Sequence, residues 1–525
     1  MSNKRPIQRV STRRGFLAAL PAVPLTASAA IRLLQRKVVY DFRAIRRTIA
    51  EAIAAGKATG IAVAAVHRGR IVWEEGFGWA NREVGRRATA RTPFSLASLS
   101  KPFTTTAVAT LAEQGKLSLD QPVNVYLRDT PLRGAGADSA TVRQLGAHAA
   151  GLPSLFEMYP TGSDPAAPSG AALLREYGSL VYPPGRVYEY SNIGYTALGA
   201  IASHLTGMDF GAFITNRVLE PLGLRDSFFD ADTSALARGA ARYDELDRPI
   251  PYYTTATPPS GELYASAHDL ALFGMFNLRH HTLSRHPILA ERLIAELHEP
   301  VLRGPGAGST TFGWFAGRGV SGLPVLFKDG GQPGVSTIMY VVPSEDLACV
   351  VLTNRSDNGD LAQSLVDQTI AVLLPGWTTP DTRIAAPKLP FSGPLDWAGR
   401  WIGHLSGSNV DTEVSLEIRP DSRASLALGN EAAREITALG SEGQALVGRS
   451  TGTIDAPDVT RNRANTLSLK LFRDGRALRG RVLAAASEPG ELATIPFAVS
   501  LERSRNFDTR MREEPGIPLA HDRPL

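Results

Sequence analysis

The chain has 525 residues, of which 43% are hydrophobic and 20% charged, the composition of an ordinary soluble globular protein. Its formal net charge is +5, and much of the positive excess lies in the first 47 residues, which argues against a nucleic-acid partner. The single cysteine, Cys349, excludes an intrachain disulfide, and its apolar, strand-like surroundings predict a buried core thiol. The adjacent His280 and His281 do not share a helical face, so we predict neither a metal site nor a cofactor.

The N-terminal segment is typical of an export signal. Residues 1–14 are polar and basic, STRRGFL stands at residues 11–17, and an apolar run leads to the small-residue pattern ASA at residues 27–29. These features predict a twin-arginine signal peptide over residues 1–30, the twin-arginine translocase as a partner, and a bacterial protein that is periplasmic or secreted. An uncleaved anchor or a basic tail is the alternative. No later stretch approaches ~18 uninterrupted apolar residues, so we expect no stable membrane span after processing.

The next segment predicts the beginning of a sheet covered by helices. Residues 40–56 have helical periodicity and end at Gly56, and residues 59–78 alternate as two strands joined by a tight turn. A helix, a strand pair and then a run of helices favour an α+β fold.

SLSK at residues 98–101 is the strongest candidate for a site. We predict a helix of about four turns here with Ser98 in its first turn, which puts Ser98 and Lys101 on one face. A serine hydroxyl is a poor nucleophile until a base takes its proton, and a buried lysine, whose pKa falls with desolvation, is such a base. S-x-x-K is short, however, and about one chance match is expected in a chain of this length.

Two further stretches place polar residues beside predicted elements. YSN at residues 190–192 precedes a helix predicted over about residues 193–205. Asn192 either caps this helix or has its side chain available for a site. Residues 327–354 predict three strands joined by turns and contain KDG at residues 328–330, and a helix over residues 359–373 closes the domain.

The spacing of apolar residues along the sequence changes towards the C-terminus. Residues 379–394 are rich in proline and predict an extended linker. In residues 395–503, short segments alternate apolar and polar side chains, which predicts a small antiparallel sheet or barrel without a catalytic constellation. Residues 504–525 are charged and contain prolines, and they predict a loose tail.

The order of the three motifs, S-L-S-K, Y-S-N and K-D-G, resembles the serine β-lactamase-like superfamily. The tyrosine of the second motif and the phrases GKLSLDQPV, PPGRVYEYSNIGYTALGAI and GGQPGVST are similar to the class C branch, with its D-alanyl-D-alanine carboxypeptidases, D-aminopeptidases and esterases. The resemblance covers roughly residues 40–375 and implies a β-lactamase/transpeptidase-like domain over residues 31–378, with helices flanking an antiparallel sheet. The C-terminal sheet resembles the lipocalin-like barrel appended to some members.

The resemblance implies the catalytic roles. Ser98 is the implied nucleophile, Lys101 its implied base, and Tyr190 an implied second acid or base. A phenol has a pKa near 10, and we expect the charges of Lys101 and Lys328 to lower the pKa of Tyr190 to a useful range.

The resemblance also implies the residues that position the substrate. Asn192 would hold Lys101 and the substrate amide, Lys328 would supply positive charge at the edge strand, and Gly330 belongs to the same positioning group. The backbone N–H groups of Ser98 and Gly331 would form the oxyanion hole, where a glycine lets the substrate approach the strand.

Two departures from the family pattern bear on the substrate. Asp329 stands where the third motif usually has threonine, and a carboxylate there would repel a substrate carboxylate unless it points away. This weakens the β-lactamase and carboxypeptidase interpretations and favours an esterase, or an amidase with a neutral or amine-bearing substrate, although lysine at 328 is the lactamase-type choice. Ala150 replaces a usual serine, which we expect to be structural.

The sequence therefore predicts an exported serine hydrolase that is acylated on Ser98 and cleaves an ester or amide of a small molecule or short peptide. One alternative is a catalytically silent relative whose cleft binds peptidoglycan fragments or a partner protein. Another is that the C-terminal domain is the functional ligand binder and the larger domain only carries it.

Overall fold

The structure is a computed structural model that describes residues 39–230, 237–280, 287–305, 308–319, 322–391, 397–407, 409–486 and 493–504. The predicted signal segment, residues 1–30, and residues 505–525 of the predicted tail lie outside the described residues. The described residues from Phe42 onwards form one compact unit. The finer domain boundaries at residues 378 and 394 stay predictions.

The first sheet formed by the described residues has nine antiparallel strands in the order β3-β2-β1-β14-β13-β12-β11-β10-β9. Its middle strands carry apolar side chains on both faces, as expected for a sheet that is covered on both sides. The strands of this part of the chain are β1 (Gly60–His67), β2 (Arg70–Asn81), β3 (Arg86–Arg87), β4 (Phe94–Ser95), β5 (Met158–Pro160), β6 (Phe228–Phe229), β7 (Tyr253–Thr255), β8 (Leu263–Ala265), β9 (Leu302–Arg303), β10 (Ser309–Thr310), β11 (Phe315–Arg318), β12 (Pro324–Gln332), β13 (Val335–Val342) and β14 (Leu347–Thr353).

Helices cover this sheet on both faces. The α-helices of the described residues are α1 (Arg43–Ala54), α2 (Lys101–Glu113), α3 (Val142–Gly146), α4 (Gly170–Tyr177), α5 (Asn192–Thr206), α6 (Phe210–Ile214), α7 (Ala267–Asn277), α8 (Glu291–Leu297), α9 (Gly359–Leu373) and α10 (Pro457–Arg461). Within the described ranges, no single helix is both long and apolar enough to cross a membrane. The bent pair Asn192–Thr206 and Phe210–Leu219 meets the length and composition of a span only together, with an angle of 81° between its halves.

The middle strand β14 shows how the two faces are used. Gly274 of α7 packs closely against Ala348, while the neighbouring Cys349 points to the opposite face, where its thiol meets Thr369 of α9. Successive strand residues face opposite sides of a sheet, so β14 lies between the two helices. Cys349 is 1% exposed, which confirms the predicted core thiol.

The predicted α+β fold is confirmed. The hairpin β1–β2, the strands β12, β13 and β14 and the helix α9 all occur where the sequence indicated them. The helix predicted around Ser98 is divided: Ala97–Ser100 form a 3-10 turn, and the α-helix begins only at Lys101. Pro102 lies in the first turn of that helix, where its missing N–H is not needed.

A second sheet occupies the C-terminal part of the chain and curls into a half-barrel. Its described strands follow the antiparallel order β15-β20-β21-β22-β23-β24-β16-β17-β18-β19, and their alternating burial confirms the predicted pattern. The first strand, residues 388–390, lies within the predicted linker and pairs with β20. These strands are β15 (Lys388–Pro390), β16 (Gly399–Ser406), β17 (Asp411–Ile418), β18 (Ala424–Leu428), β19 (Arg434–Glu435), β20 (Thr437–Glu442), β21 (Ala445–Thr451), β22 (Thr466–Asp474), β23 (Ala477–Ala486) and β24 (Ala493–Arg503).

Candidate active site

Ser98 and Lys101 form the centre of the site. The Nζ of Lys101 lies 3.1 Å from the Oγ of Ser98, and it donates to the Oδ1 of Asn192 at 2.8 Å and to the carbonyl oxygen of Ser260 at 3.0 Å. Burial, and secondarily the charge of Lys328, hold the pKa of Lys101 well below its ordinary value. A lysine in this state loses its proton more easily and can serve as a base for the neighbouring serine hydroxyl, which is only partly buried.

The turn that carries Ser98 is held by contacts with β12 and β13. Ala97 has φ +47°, an uncommon conformation for a residue with a side chain, and the hydroxyl of Thr337 donates to the carbonyl oxygen of Leu96 at 2.9 Å. A Cβ added at Gly330 would overlap that same carbonyl oxygen. The structure therefore places Gly330 against the Ser98 turn, where a glycine is needed for close packing of β12.

Tyr190 contacts the other side of Ser98. Its hydroxyl donates to the Oγ of Ser98 at 2.6 Å, and its ring stacks on His148 with 4.3 Å between ring centroids. The Nζ atoms of Lys101 and Lys328 lie 4.9 and 5.5 Å from the centroid of the Tyr190 ring. The two cations are near, but the expectation that they lower the pKa of Tyr190 is not met, because burial raises this pKa above the ordinary value. Tyr190 is therefore a neutral phenol that can donate a proton.

Asn192 joins the two sides of the site. Its Oδ1 accepts from Lys101, and its Nδ2 donates to the carbonyl oxygen of Leu155 at 2.8 Å. It is the first residue of α5, whose cap is Ser191, so the alternative in which Asn192 caps the helix is wrong. The helix start leaves the amide of Asn192 free to bridge Lys101 and the loop at Leu155.

Lys328 lies at the edge of this group rather than on Ser98. Its buried Nζ donates to the carbonyl oxygen of Asp329 at 3.1 Å and lies 3.2 Å from the carboxylate of the same residue. The Asp329 side chain is 62% exposed, and the charge of Lys328 lowers the pKa of the Asp329 carboxyl. Asp329 therefore stays ionised at the rim of the site, and it neutralises part of the positive charge that Lys328 would offer a substrate anion.

A cavity of about 170 Å³ opens beside the hydroxyl of Ser98. Gly331 lines it, and a Cβ at Gly331 would meet no protein atom within 4 Å, so the strand edge here is open to a ligand. Within the described part of the chain, its lining side chains are all uncharged: Ser98, Ser154, Phe156, Tyr190, Asn192, Thr255, Thr257, Ser260 and Gln332, with glycines 261 and 331.

Sequence reasoning missed several groups that shape the site. His148 accepts from the N–H of Ser191 through its Nδ1 at 3.1 Å, and burial and the charge of Lys101 keep its pKa well below the ordinary value, so it is neutral. The carbonyl groups of Leu155 and Ser260 carry no sequence signal at all, and His148 stands in HAAGL without a recognisable spacing to the motifs.

Across the described residues, no group of three or more His, Cys, Asp or Glu side chains could hold a metal ion.

Comparison of the sequence with known proteins gives one family. A sequence model of the Beta-lactamase family matches residues 45–373. Protein flp of Staphylococcus aureus (strain MRSA252) is 24% identical over 325 residues, which make up 59% of this chain and 62% of that protein. The match thus spans less than two thirds of this relative's own length.

Comparison with solved structures reaches further along the chain. The crystal structure of a protein named SurE is similar with a TM-score of 0.62 and 21% identity, and the match covers 88% of this chain and 98% of that one. A class C beta lactamase from Rhodobacter sphaeroides is similar with a TM-score of 0.52 and 25% identity, over 62% of this chain and 99% of that one. The first likeness concerns the fold alone, and it covers a larger share of the chain than the second.

Proposed function

Since the chain belongs to the beta-lactamase family of serine hydrolases, we propose that it is acylated on Ser98 while it cleaves an ester or an amide. The observation that carries the proposal is the position of the Ser98 hydroxyl, which contacts the Nζ of Lys101 and the hydroxyl of Tyr190 at the mouth of a cavity. A nucleophile within hydrogen-bond reach of both a base and an acid is what acyl transfer needs.

In the proposed acylation the neutral amine of Lys101 takes the proton of Ser98 as the Oγ attacks the carbonyl carbon. The backbone N–H groups of Ser98 and Gly331 stabilise the oxyanion, and the phenol of Tyr190 gives its proton to the departing alkoxide or amine. The ammonium of Lys101 then reprotonates the phenolate, which restores both groups. Water attacks the acyl ester in the second half of the cycle by the same proton transfers.

We further propose that the substrate is neutral or carries an amine next to the scissile bond. The side chains around the cavity are uncharged, and the ionised Asp329 lies beside Lys328 on β12, two residues from Gly331, which lines the cavity. A substrate carboxylate would meet this negative charge, whereas an ammonium group would be attracted to it. An esterase or a D-amino-acid amidase fits these charges better than a carboxypeptidase or a β-lactamase.

The test is a substrate panel with a nucleophile control. p-Nitrophenyl esters, D-amino-acid amides, D-Ala-D-Ala peptides and nitrocefin are each incubated with the wild type and with Ser98→Ala, and a fluorophosphonate adduct is sought by intact mass. We expect turnover of esters or D-amino-acid amides, an adduct on Ser98, and neither in Ser98→Ala. A wild type without adduct or turnover points instead to a silent relative whose cleft binds peptidoglycan fragments or a partner protein.

We also propose that the protein acts outside the cytoplasm as a periplasmic or secreted protein, through the STRRGFL segment. Replacement of both Arg13 and Arg14 by lysine is expected to retain the protein in the cytoplasm of an expressing bacterium. Fractionation of the cells measures this, and export of the double variant at the wild-type level contradicts it.

A further inference from the structure

The C-terminal sheet reaches the residue next to Tyr190 through a buried group of charges. The side chain of Glu189 is 5% exposed and forms ion pairs with Arg481 of β23 and with Lys470 of β22, whose Nζ is 3.5 Å away. Lys470 also pairs with Glu442 at 2.8 Å. We call Glu189, Glu442, Lys470 and Arg481 the charge cluster; three of these four side chains belong to the C-terminal sheet.

The charge cluster continues directly into the site. The N–H of Glu189 donates to the carbonyl oxygen of His148 at 3.1 Å, and the N–H of Ser191 donates to the imidazole of the same residue. Tyr190 lies between these two attachments, with its ring stacked on His148. The position of the phenol therefore depends on where the carboxylate of Glu189 is held.

The C-terminal sheet holds a second wall of the cavity independently. Phe156, which lines the cavity, exchanges two backbone hydrogen bonds with Thr494 of β24, at 3.0 and 2.7 Å. The next residue, Glu157, is 2% exposed and binds Arg461 of α10 and the amide of Asn462. Contacts at two separate loops indicate that the sheet supports the site as a whole.

We propose that the C-terminal sheet positions Tyr190 for proton transfer, with Arg481 and Glu189 as the positioning residues. Without Arg481, the buried carboxylate of Glu189 keeps only Lys470, at 3.5 Å, so it shifts towards that cation or towards solvent and displaces the neighbouring Tyr190. Neither residue touches the reacting atoms, so their effect appears in the turnover step rather than in substrate binding.

The experiment compares Arg481→Met with a matched control on the same strand. Arg479 lies two residues away on β23, is 54% exposed and pairs with Asp474, so Arg479→Met removes an arginine without disturbing the charge cluster. In Arg481→Met we expect kcat for a p-nitrophenyl ester to fall about 10- to 100-fold with KM within about twofold. Arg481→Lys should recover part of the loss, and Arg479→Met should equal the wild type.

Hydrogen exchange supplies a readout that does not depend on turnover. The kinetic arm rests on the proposed acylation of Ser98, whereas amide exchange over residues 182–192, followed by mass spectrometry, reports the order of the loop even if no substrate is found. We expect faster exchange there in Arg481→Met and wild-type exchange in Arg479→Met.

Glu189→Gln is the second variant, because it keeps the shape of the side chain and removes only its charge. Its exchange over residues 182–192 and its kcat should change in the same direction as those of Arg481→Met. The proposal is overturned if both variants keep wild-type exchange over residues 182–192, or if both keep wild-type kcat on an ester that the wild type turns over.

Discussion

The two sides of the cavity are held in different ways. On the Ser98 side, the nucleophile, Lys101 and their supports lie within the nine-stranded sheet and the helices against it, and Gly330 and Thr337 pack directly behind the turn. On the Tyr190 side, the phenol follows Glu189, whose charge partners come from the C-terminal sheet. The first side depends on close packing of short, local motifs, and the second depends on charges that are distant in sequence.

This difference separates two ways in which a site can fail. Loss of a group on the Ser98 side removes chemistry or disrupts the packing of the core, because Lys101, Gly330 and Thr337 are buried. Loss of a support on the Tyr190 side leaves the chemistry present but misplaced. Variants on the two sides should therefore differ in size of effect and in kind.

The largest effect is expected on the Ser98 side. Lys101→Met removes the base, and we expect kcat/KM for the best ester of the panel to fall about a thousandfold or more. The rate of fluorophosphonate labelling of Ser98 should fall in parallel. Lys116→Met, a substitution of an exposed lysine beyond α2, is the control and should keep the wild-type rate. An equal loss in both variants would remove the assignment of Lys101.

Tyr190→Phe tests the other side with a smaller loss, about 100-fold in kcat. Since the pKa of Lys101 is lowered and that of Tyr190 is raised, kcat/KM should rise with pH as the ammonium of Lys101 loses its proton, below its ordinary pKa of 10.5. Tyr190→Phe should keep this rise because the titrating group is still present. If the rise disappears in Tyr190→Phe, the base is the tyrosinate.

A pair of glycine variants sharpens the packing argument. Gly330→Ala places a methyl group against the carbonyl oxygen of Leu96 and should lower the free energy of unfolding by about 2 kcal/mol. Gly331→Ala points into open space and should leave stability unchanged while it slows substrates that approach the strand. Urea unfolding of both variants measures this, and equal stabilities would show that the turn yields to the added methyl group.

The smallest effect is expected at the rim. Asp329→Asn removes a charge from a side chain that is 62% exposed, so screening by water limits the change. We expect kcat/KM to rise about fivefold or less for a substrate with a carboxylate and to fall by a similar factor for one with an amine. Both changes should shrink at high salt. A change of the same sign for both substrates would show that charge is not the cause.

Much of the fold could be predicted because the local pattern of apolar and polar residues indicates its strands and helices. The hairpin β1–β2 and the strands β12 to β14 alternate or run apolar over whole elements, and turn residues separate them. The apolar spacing of α2 begins before Lys101 and therefore predicts helix at Ser98 as well, and nothing in the sequence marks the positive φ of Ala97.

The site could be predicted only as far as its motifs reach. Ser98, Lys101, Tyr190 and Asn192 meet as the motif order implies, but the direction of the pKa of Tyr190 depends on burial, which a motif does not record. Glu189 and Arg481 are 292 positions apart, and no periodicity connects them. Partners that act through a backbone carbonyl, such as Leu155, cannot be recognised from the sequence, because every residue type has that group.

Cys349 is a natural probe of how often the core of the molecule opens. It is the chain's only cysteine, it is buried, and it sits on β14 between β1 and β13, in the middle of the sheet that carries Lys328 and Gly331. A thiol reagent can reach it only when α9 or the surrounding strands move away, so the rate of a one-to-one colour reaction measures the opening of this part of the core. Without any added label, the reaction rate of Cys349 distinguishes a variant with a loosened sheet from one in which the sheet is intact and only the phenol of Tyr190 is misplaced.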